Sequence, residues 1–109
     1  MRFDPGPSPL ERLRRELGLF IPELARMSKL PERVVLKIEQ GKPVSTRRVC
    51  RVYKCLAELI AASTPGRSND LLLERLLDEY FRWRERLWKL LELEVAERLA
   101  RVRMSGGFK

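Results

Sequence analysis

The chain of 109 residues contains no histidine. That absence removes the commonest general base near neutral pH and the commonest nitrogen ligand for a metal. Cysteine is scarce too: Cys50 and Cys55 are the two present. Five positions apart on one helix, they point to different faces, which leaves neither a local disulfide nor a zinc knuckle. They read as reduced, structural thiols of a soluble cytoplasmic protein. Side-chain amides are nearly missing, with Gln40 the only glutamine and Asn69 the only asparagine. Together with 35% charged residues, this is the composition expected of a thermophile protein. No apolar run approaches the roughly 18–20 residues needed to cross a bilayer, and the opening MRFDPGPSP has no signal-peptide core. There is no glycine-rich phosphate loop. The one row of carboxylates, Glu92, Glu94 and Glu97, is what a solvated helix would carry. No enzyme, metal site or cofactor is expected from such a chain.

What is abundant is positive charge, unevenly spread. The net charge is +8, with a pI near 10.2. Residues 1–67 hold 14 Lys and Arg against 7 Asp and Glu, whereas residues 68–109 hold 9 against 8. The field that would attract phosphate therefore belongs to the first half, and binding driven by it should weaken steeply with salt.

The periodicity is helical throughout, so the fold class is all-α. Residues 1–7, with Pro5, Gly6 and Pro7, read as a flexible arm. Ser8, Pro9 and Glu11 then form a capping box at the start of a first helix, which runs to about Gly18 and buries Leu10, Leu13 and Leu17. A second helix spans about Ile21–Ser28. A third spans Pro31–Gln40, with Val35 and Ile38 inward, Val34 and Leu36 outward, and Gly41 as the stop. A fourth opens at Ser45 or Thr46 and buries Val49, Val52, Tyr53, Leu56 and Ile60. Residues 8–62 thus form one domain and 63–68 a linker. From 69 to 104 there is no glycine or proline, so one long helix is expected, followed by a frayed tail over 105–109. Its apolar residues form a stripe too broad to stand in water, with Arg84 breaking the heptad. The stripe must cover the small domain or a second copy; Leu73, Leu77, Tyr80, Phe81, Leu87, Trp88, Leu91 and Val95 are the expected dimerisation residues.

The first half of the chain resembles the lambda-repressor-like (Cro-type, XRE) helix-turn-helix family. The residues that carry the likeness run through about Leu10 to Ile60: Leu13, Arg14, Leu17-Gly18-Leu19, Glu23-Leu24-Ala25, Val35, Ile38-Glu39, Gly41-Lys42 and Ser45. The resemblance implies a four-helix bundle whose third helix lies in the major groove of DNA. It implies an ion pair between Glu39 and Arg14, base readout by Glu32, Arg33, Leu36 and Lys37, and phosphate contacts from Lys42, Ser45, Arg47 and Arg48. Several positions depart from the family pattern. Phe20 and Ile21 stand where a hydroxyl cap and a phosphate-binding glutamine are usual. Lys29 replaces the turn glycine, Ser28 a core aliphatic, and Leu30 cannot cap the third helix.

The expected function is that of a sequence-specific regulator of transcription. It would act as a homodimer on palindromic double-stranded DNA, nucleoid-associated in the cytoplasm, with the long helix as dimerisation element. Two alternatives remain open at this stage. One is a protein-binding adaptor or antitoxin whose long helix, or whose apolar Phe20 and Ile21, grips a second protein; the other is a sequence-neutral nucleoid protein.

Overall fold

The computed structural model describes residues 6–63 and 69–104. These residues form five α-helices and no strand: α1 (Pro9–Glu16), α2 (Ile21–Ser28), α3 (Glu32–Glu39), α4 (Thr46–Ser63) and α5 (Asn69–Met104). Most of the expected arm, the linker over 64–68 and the tail over 105–109 lie outside the described residues.

Ser8 starts α1 by accepting the Glu11 N–H at 3.0 Å, with Pro9 in the first turn. The first three helices then end in one way. After α1, Gly18 turns left-handed, and the N–H groups of Gly18 and Leu19 return to the carbonyls of Arg15 and Arg14, both at 3.0 Å. After α2 the left-handed residue is Lys29, and Leu30 N–H reaches the Ala25 carbonyl at 3.0 Å. After α3 it is Gly41, and Lys42 N–H reaches the Lys37 carbonyl at 2.9 Å. Each closure satisfies carbonyls that a helix end leaves bare. It also ends α1 at Glu16, two residues short of the expected limit. Lys29 adopts the glycine-like geometry at a cost of about 1 kcal/mol. The third helix is one residue shorter at each end than its sequence suggests, because Pro31 stays extended as the N-cap and Gln40 becomes the C-cap.

The core gathers Leu10, Leu24, Ala25, Val34, Val35, Ile38, Val49, Val52, Tyr53 and Leu56 from α1–α4. Two expectations change. Val34 is buried rather than outward, since it stands one turn before Ile38 on the face that meets the core. Ile60 is only half-buried, and Ala57 takes the inward position near the end of α4. Ser28 is buried without penalty because its hydroxyl donates back to the Leu24 carbonyl at 2.8 Å.

The long helix is a single piece of 36 residues, about 54 Å at 1.5 Å per residue. Its first half belongs to the same core: Tyr80 and Trp83 are buried there, with Leu73, Leu76, Leu77, Phe81 and Leu87 packed around them. The expected dimerisation set is thereby divided. Leu73, Leu77, Tyr80, Phe81 and Leu87 cover their own domain, because α1–α4 leave apolar surface that this stripe takes out of water. Trp88 is partly covered, and Leu91 and Val95 stand exposed. Trp83 Nε1–H also donates to the Gly6 carbonyl at 3.3 Å, so the last part of the expected arm is tied down. An ion pair between Arg12 and Glu79 links α1 to α5.

The contrast between two left-handed glycines tests this packing. A Cβ at Gly18 meets nothing within 4 Å, but at Gly41 it would come within 2.5 Å of Leu87 Cδ2 and 2.9 Å of the Trp83 ring. Gly18→Ala should therefore cost only the backbone strain, about 1 kcal/mol. Gly41→Ala should add about 1–3 kcal/mol of overpacking. Urea denaturation of the two variants measures the difference, and equal losses would mean that α5 does not press on this turn.

Candidate nucleic-acid interface

Helix α3 is fixed from two sides before it presents anything. From α1, Arg14 places its guanidinium on Glu39: Nε donates to Oε2 at 2.7 Å and Nη2 to Oε1 at 3.1 Å. The remaining nitrogen, Nη1, donates to the Leu19 carbonyl at 2.9 Å. Only 12% of the Arg14 side chain and 7% of the Glu39 side chain are exposed. The hydrogen bonds to Glu39 raise the Arg14 pKa further above its ordinary value. The fork geometry fills both carboxylate oxygens, which offsets the cost of removing the pair from water.

From α5 come two aromatic donors. Tyr80 Oη–H donates to the Ile38 carbonyl at 2.6 Å, and Trp88 Nε1–H to the Gly41 carbonyl at 2.7 Å. These are carbonyls at the C-terminal end of α3, where helix geometry provides too few donors. Neither contact is among the sequence expectations, in which both aromatics belong to the dimerisation stripe. The available signal was that Tyr and Trp, once buried, need a partner for their polar atom. Arg84, which breaks the heptad, lies over the Phe81 and Trp88 rings at 4.7 and 4.6 Å from their centroids. The guanidinium is attracted to the negative faces of these rings.

With Val34, Val35, Ile38 and Glu39 inward, α3 exposes Glu32, Arg33, Leu36 and Lys37 on one side. Gln40 is exposed at the end of the same side and was not singled out from sequence, since it was read only as the last helical residue. Lys42, Ser45, Arg47 and Arg48 follow, all exposed, around the loop and first turn of α4. The Ser45 side chain takes part in capping that helix, accepting the Arg48 N–H at 3.4 Å. Among the described residues no carboxylate pairs with Arg33, Lys37, Lys42, Arg47 or Arg48. On α5, by contrast, Arg82, Lys89 and Arg101 each lie beside a carboxylate one turn away, although Arg75, Arg86 and Arg98 make no ion pair among the described residues. The net positive charge lies in residues 1–67, which include the α3–α4 side.

The start of α2 is arranged otherwise. Glu23 Oε1 accepts the Phe20 N–H at 3.1 Å, so a carboxylate of the chain itself occupies the positive end of that helix. Phe20 has no acceptor to complete a capping box and is 71% exposed, while Ile21 packs against the core. This helix end therefore offers no side-chain contact to an anion. Comparison of the chain with models of known protein families, with curated proteins and with solved structures finds no match to any.

The anchoring of α3 gives measurable expectations. Arg14→Ala would leave Glu39 buried without a partner and should cost about 3 kcal/mol, the lower end for such pairs because the edge of this one meets water. Arg15→Ala, which removes only an exposed pair with Glu11, should cost under about 0.5 kcal/mol by the same thermal melts. Burial pushes the Tyr80 pKa up to about 12, with Arg84 moderating the rise. The unfolded value is near 10. This contribution is complete below about pH 10 and should disappear as pH rises through about 12. Tyr80→Phe should show less loss of stability than the parent over that window.

Proposed function

We propose that the protein is a sequence-specific regulator that binds double-stranded DNA as a homodimer, with α3 in the major groove. The observation that carries this reading is the unpaired basic face made by Arg33 and Lys37 with Lys42, Arg47 and Arg48, borne by a helix braced from behind by Arg14–Glu39 and by α5. Rigidity matters because base reading requires a side chain to be held in register by contacts to the backbone. In this proposal Arg33 reads guanine through O6 and N7, and Gln40 is available for an adenine edge. Leu36 meets a thymine methyl, and Lys37 extends the face. Lys42, Ser45, Arg47 and Arg48 hold phosphates, aided by the N-terminal end of α4. Glu32 serves either as a favourable charge at the start of α3 or as an acceptor for a cytosine amino group.

The self-occupied start of α2 shapes the proposal. With Glu23 there, phosphate contact falls to the α3–α4 loop and the first turn of α4. The second reading, a protein-binding adaptor, is favoured by Phe20 and Leu36, two large apolar side chains left exposed to water.

Selection of bound sequences from a random duplex library separates these readings, since a palindromic consensus is expected only from a dimer that reads bases. Arg33→Ala should relax the preference at one base position by about 1–3 kcal/mol. Lys42→Ala should weaken all sequences equally and reduce the slope of log affinity against log salt by about 1. No retardation of duplex at low salt would favour the adaptor, and equal affinity for scrambled duplexes would favour a sequence-neutral nucleoid protein.

A further inference from the structure

Beyond Trp88, α5 leaves the domain behind, and every residue from Leu91 to Val102 is exposed. Along this exposed half five apolar residues, Trp88, Leu91, Val95, Leu99 and Val102, follow one another at steps of 3, 4, 4 and 3, while Leu93 lies exposed on the far side. At 100° per residue they fall within a band of about 80° on one side of the helix. That band continues, with a modest rotation, the stripe through which Tyr80 and Leu87 cover the domain. The order of steps is the same read in either direction, so the stripe is symmetric about Val95.

We infer that the free half of α5 is a self-complementary surface for a second copy of this chain, paired antiparallel and centred on Val95. In that arrangement Val95 meets Val95, Leu91 meets Leu99, and Trp88 meets Val102, so no apolar residue faces a polar one. A two-fold axis through Val95 is the isologous contact that most homodimers use. The 11-residue repeat from Trp88 to Leu99 and from Leu91 to Val102 keeps close to the natural period of the helix, and two such helices pair with little supercoiling.

The charges agree with this orientation. Glu94 and Arg98 lie on the same flank of the stripe, and among the described residues neither makes an ion pair. Antiparallel pairing brings Glu94 of one copy within about 3 Å, along the axis, of Arg98 in the other, and does so twice by symmetry. A parallel pair would instead place the Glu94 and Arg98 of the two copies on opposite sides of the seam, where they could not meet. Covering the surface that the five side chains still expose, in both copies, removes on the order of 1,000 Å², near the lower bound for a specific interface. An interface this small belongs among the weak, reversible ones, which a two-site ligand would strengthen.

One consequence rests on the DNA-binding proposal. Gly41, at the end of α3, lies against Trp83 and Leu87, about ten residues or 15 Å from the Val95 axis. The two copies of this turn would be about 30 Å apart along α5, near the 34 Å between half-sites one helical turn apart.

Single cysteines introduced in a Cys50→Ala, Cys55→Ala background test the geometry. Under mild oxidation Val95→Cys should link to itself in most of the protein. Val102→Cys should not, because its two copies would lie about 21 Å apart along the axis. Leu91→Glu with Leu99→Glu should halve the mass measured by light scattering at tens of micromolar protein, with the melting of the domain unchanged because both sites are exposed. Equal self-linking at 95 and 102 would overturn the antiparallel arrangement. A monomeric mass for the parent chain would overturn the pairing altogether and leave the stripe to a different protein. Duplex binding is scored separately. A monomer that still selects a DNA sequence sinks this inference and the homodimeric part of the proposed function but spares base reading by α3, whereas a cross-linked dimer that ignores duplex keeps this inference and sinks the DNA-binding proposal.

Discussion

The Arg14 guanidinium clamped on the Glu39 carboxylate is the contact on which the arrangement of the small helices turns. Three helices of eight residues each would not hold their shape in water alone, because helices this short are marginal until they pack. The pair joins α1 to the end of α3, and its third bond, to the Leu19 carbonyl, draws in the connection that leads to α2. An ion pair so far removed from water contributes little net energy over an apolar substitute, but losing one member is costly. Its effect is to specify a single orientation of α3, which an apolar contact of the same area would define less sharply.

The long helix completes that constraint. Tyr80, Trp83 and Trp88 meet the other side of the α3 terminus, two of them through hydrogen bonds to its carbonyls. Gly41 is where these demands converge. Its positive φ closes α3, and its missing side chain lets Trp83 and Leu87 approach. The exposed side of α3 is thus mounted on a support that extends without interruption into the free half of α5. Whatever engages that free half is mechanically continuous with the helix proposed to read DNA.

Electrostatics divides the surface along the same line. In the second half of the chain acids and bases nearly balance, and three of the pairs close along the helix. Around α3 and the start of α4, Arg33, Lys37, Lys42, Arg47 and Arg48 make no ion pair among the described residues. The self-capped start of α2, with Glu23 in the position an external anion would take, narrows the basic face to the α3–α4 side. Fewer backbone contacts would make the proposed binding more dependent on dimerisation, since two modest half-sites combine multiplicatively.

Much of the fold was legible in the sequence because its signals are local. Ser8-Pro9 with Glu11, Gly18, Gly41 and the unbroken 69–104 segment each act on the backbone beside them, so helix number and near-exact limits followed from spacing alone. The inward Val35 and Ile38 of α3 follow from the 3.6-residue period, while the outward set Glu32, Arg33, Leu36 and Lys37 rests on the resemblance; Val34 is buried rather than outward, and Gln40 joins the exposed side. Periodicity could not say which surface the α5 stripe would meet. An apolar stripe shows that something must cover it but not what, because the hydrophobic effect has no direction. Only the tertiary structure decided that Tyr80, Phe81 and Leu87 serve their own domain, that Tyr80 and Trp88 hold the α3 carbonyls, and that the stripe left free begins near Trp88. The sequence by itself determined the helices and the charge; the partners of the apolar faces were decided by which surfaces the packed helices bring within reach.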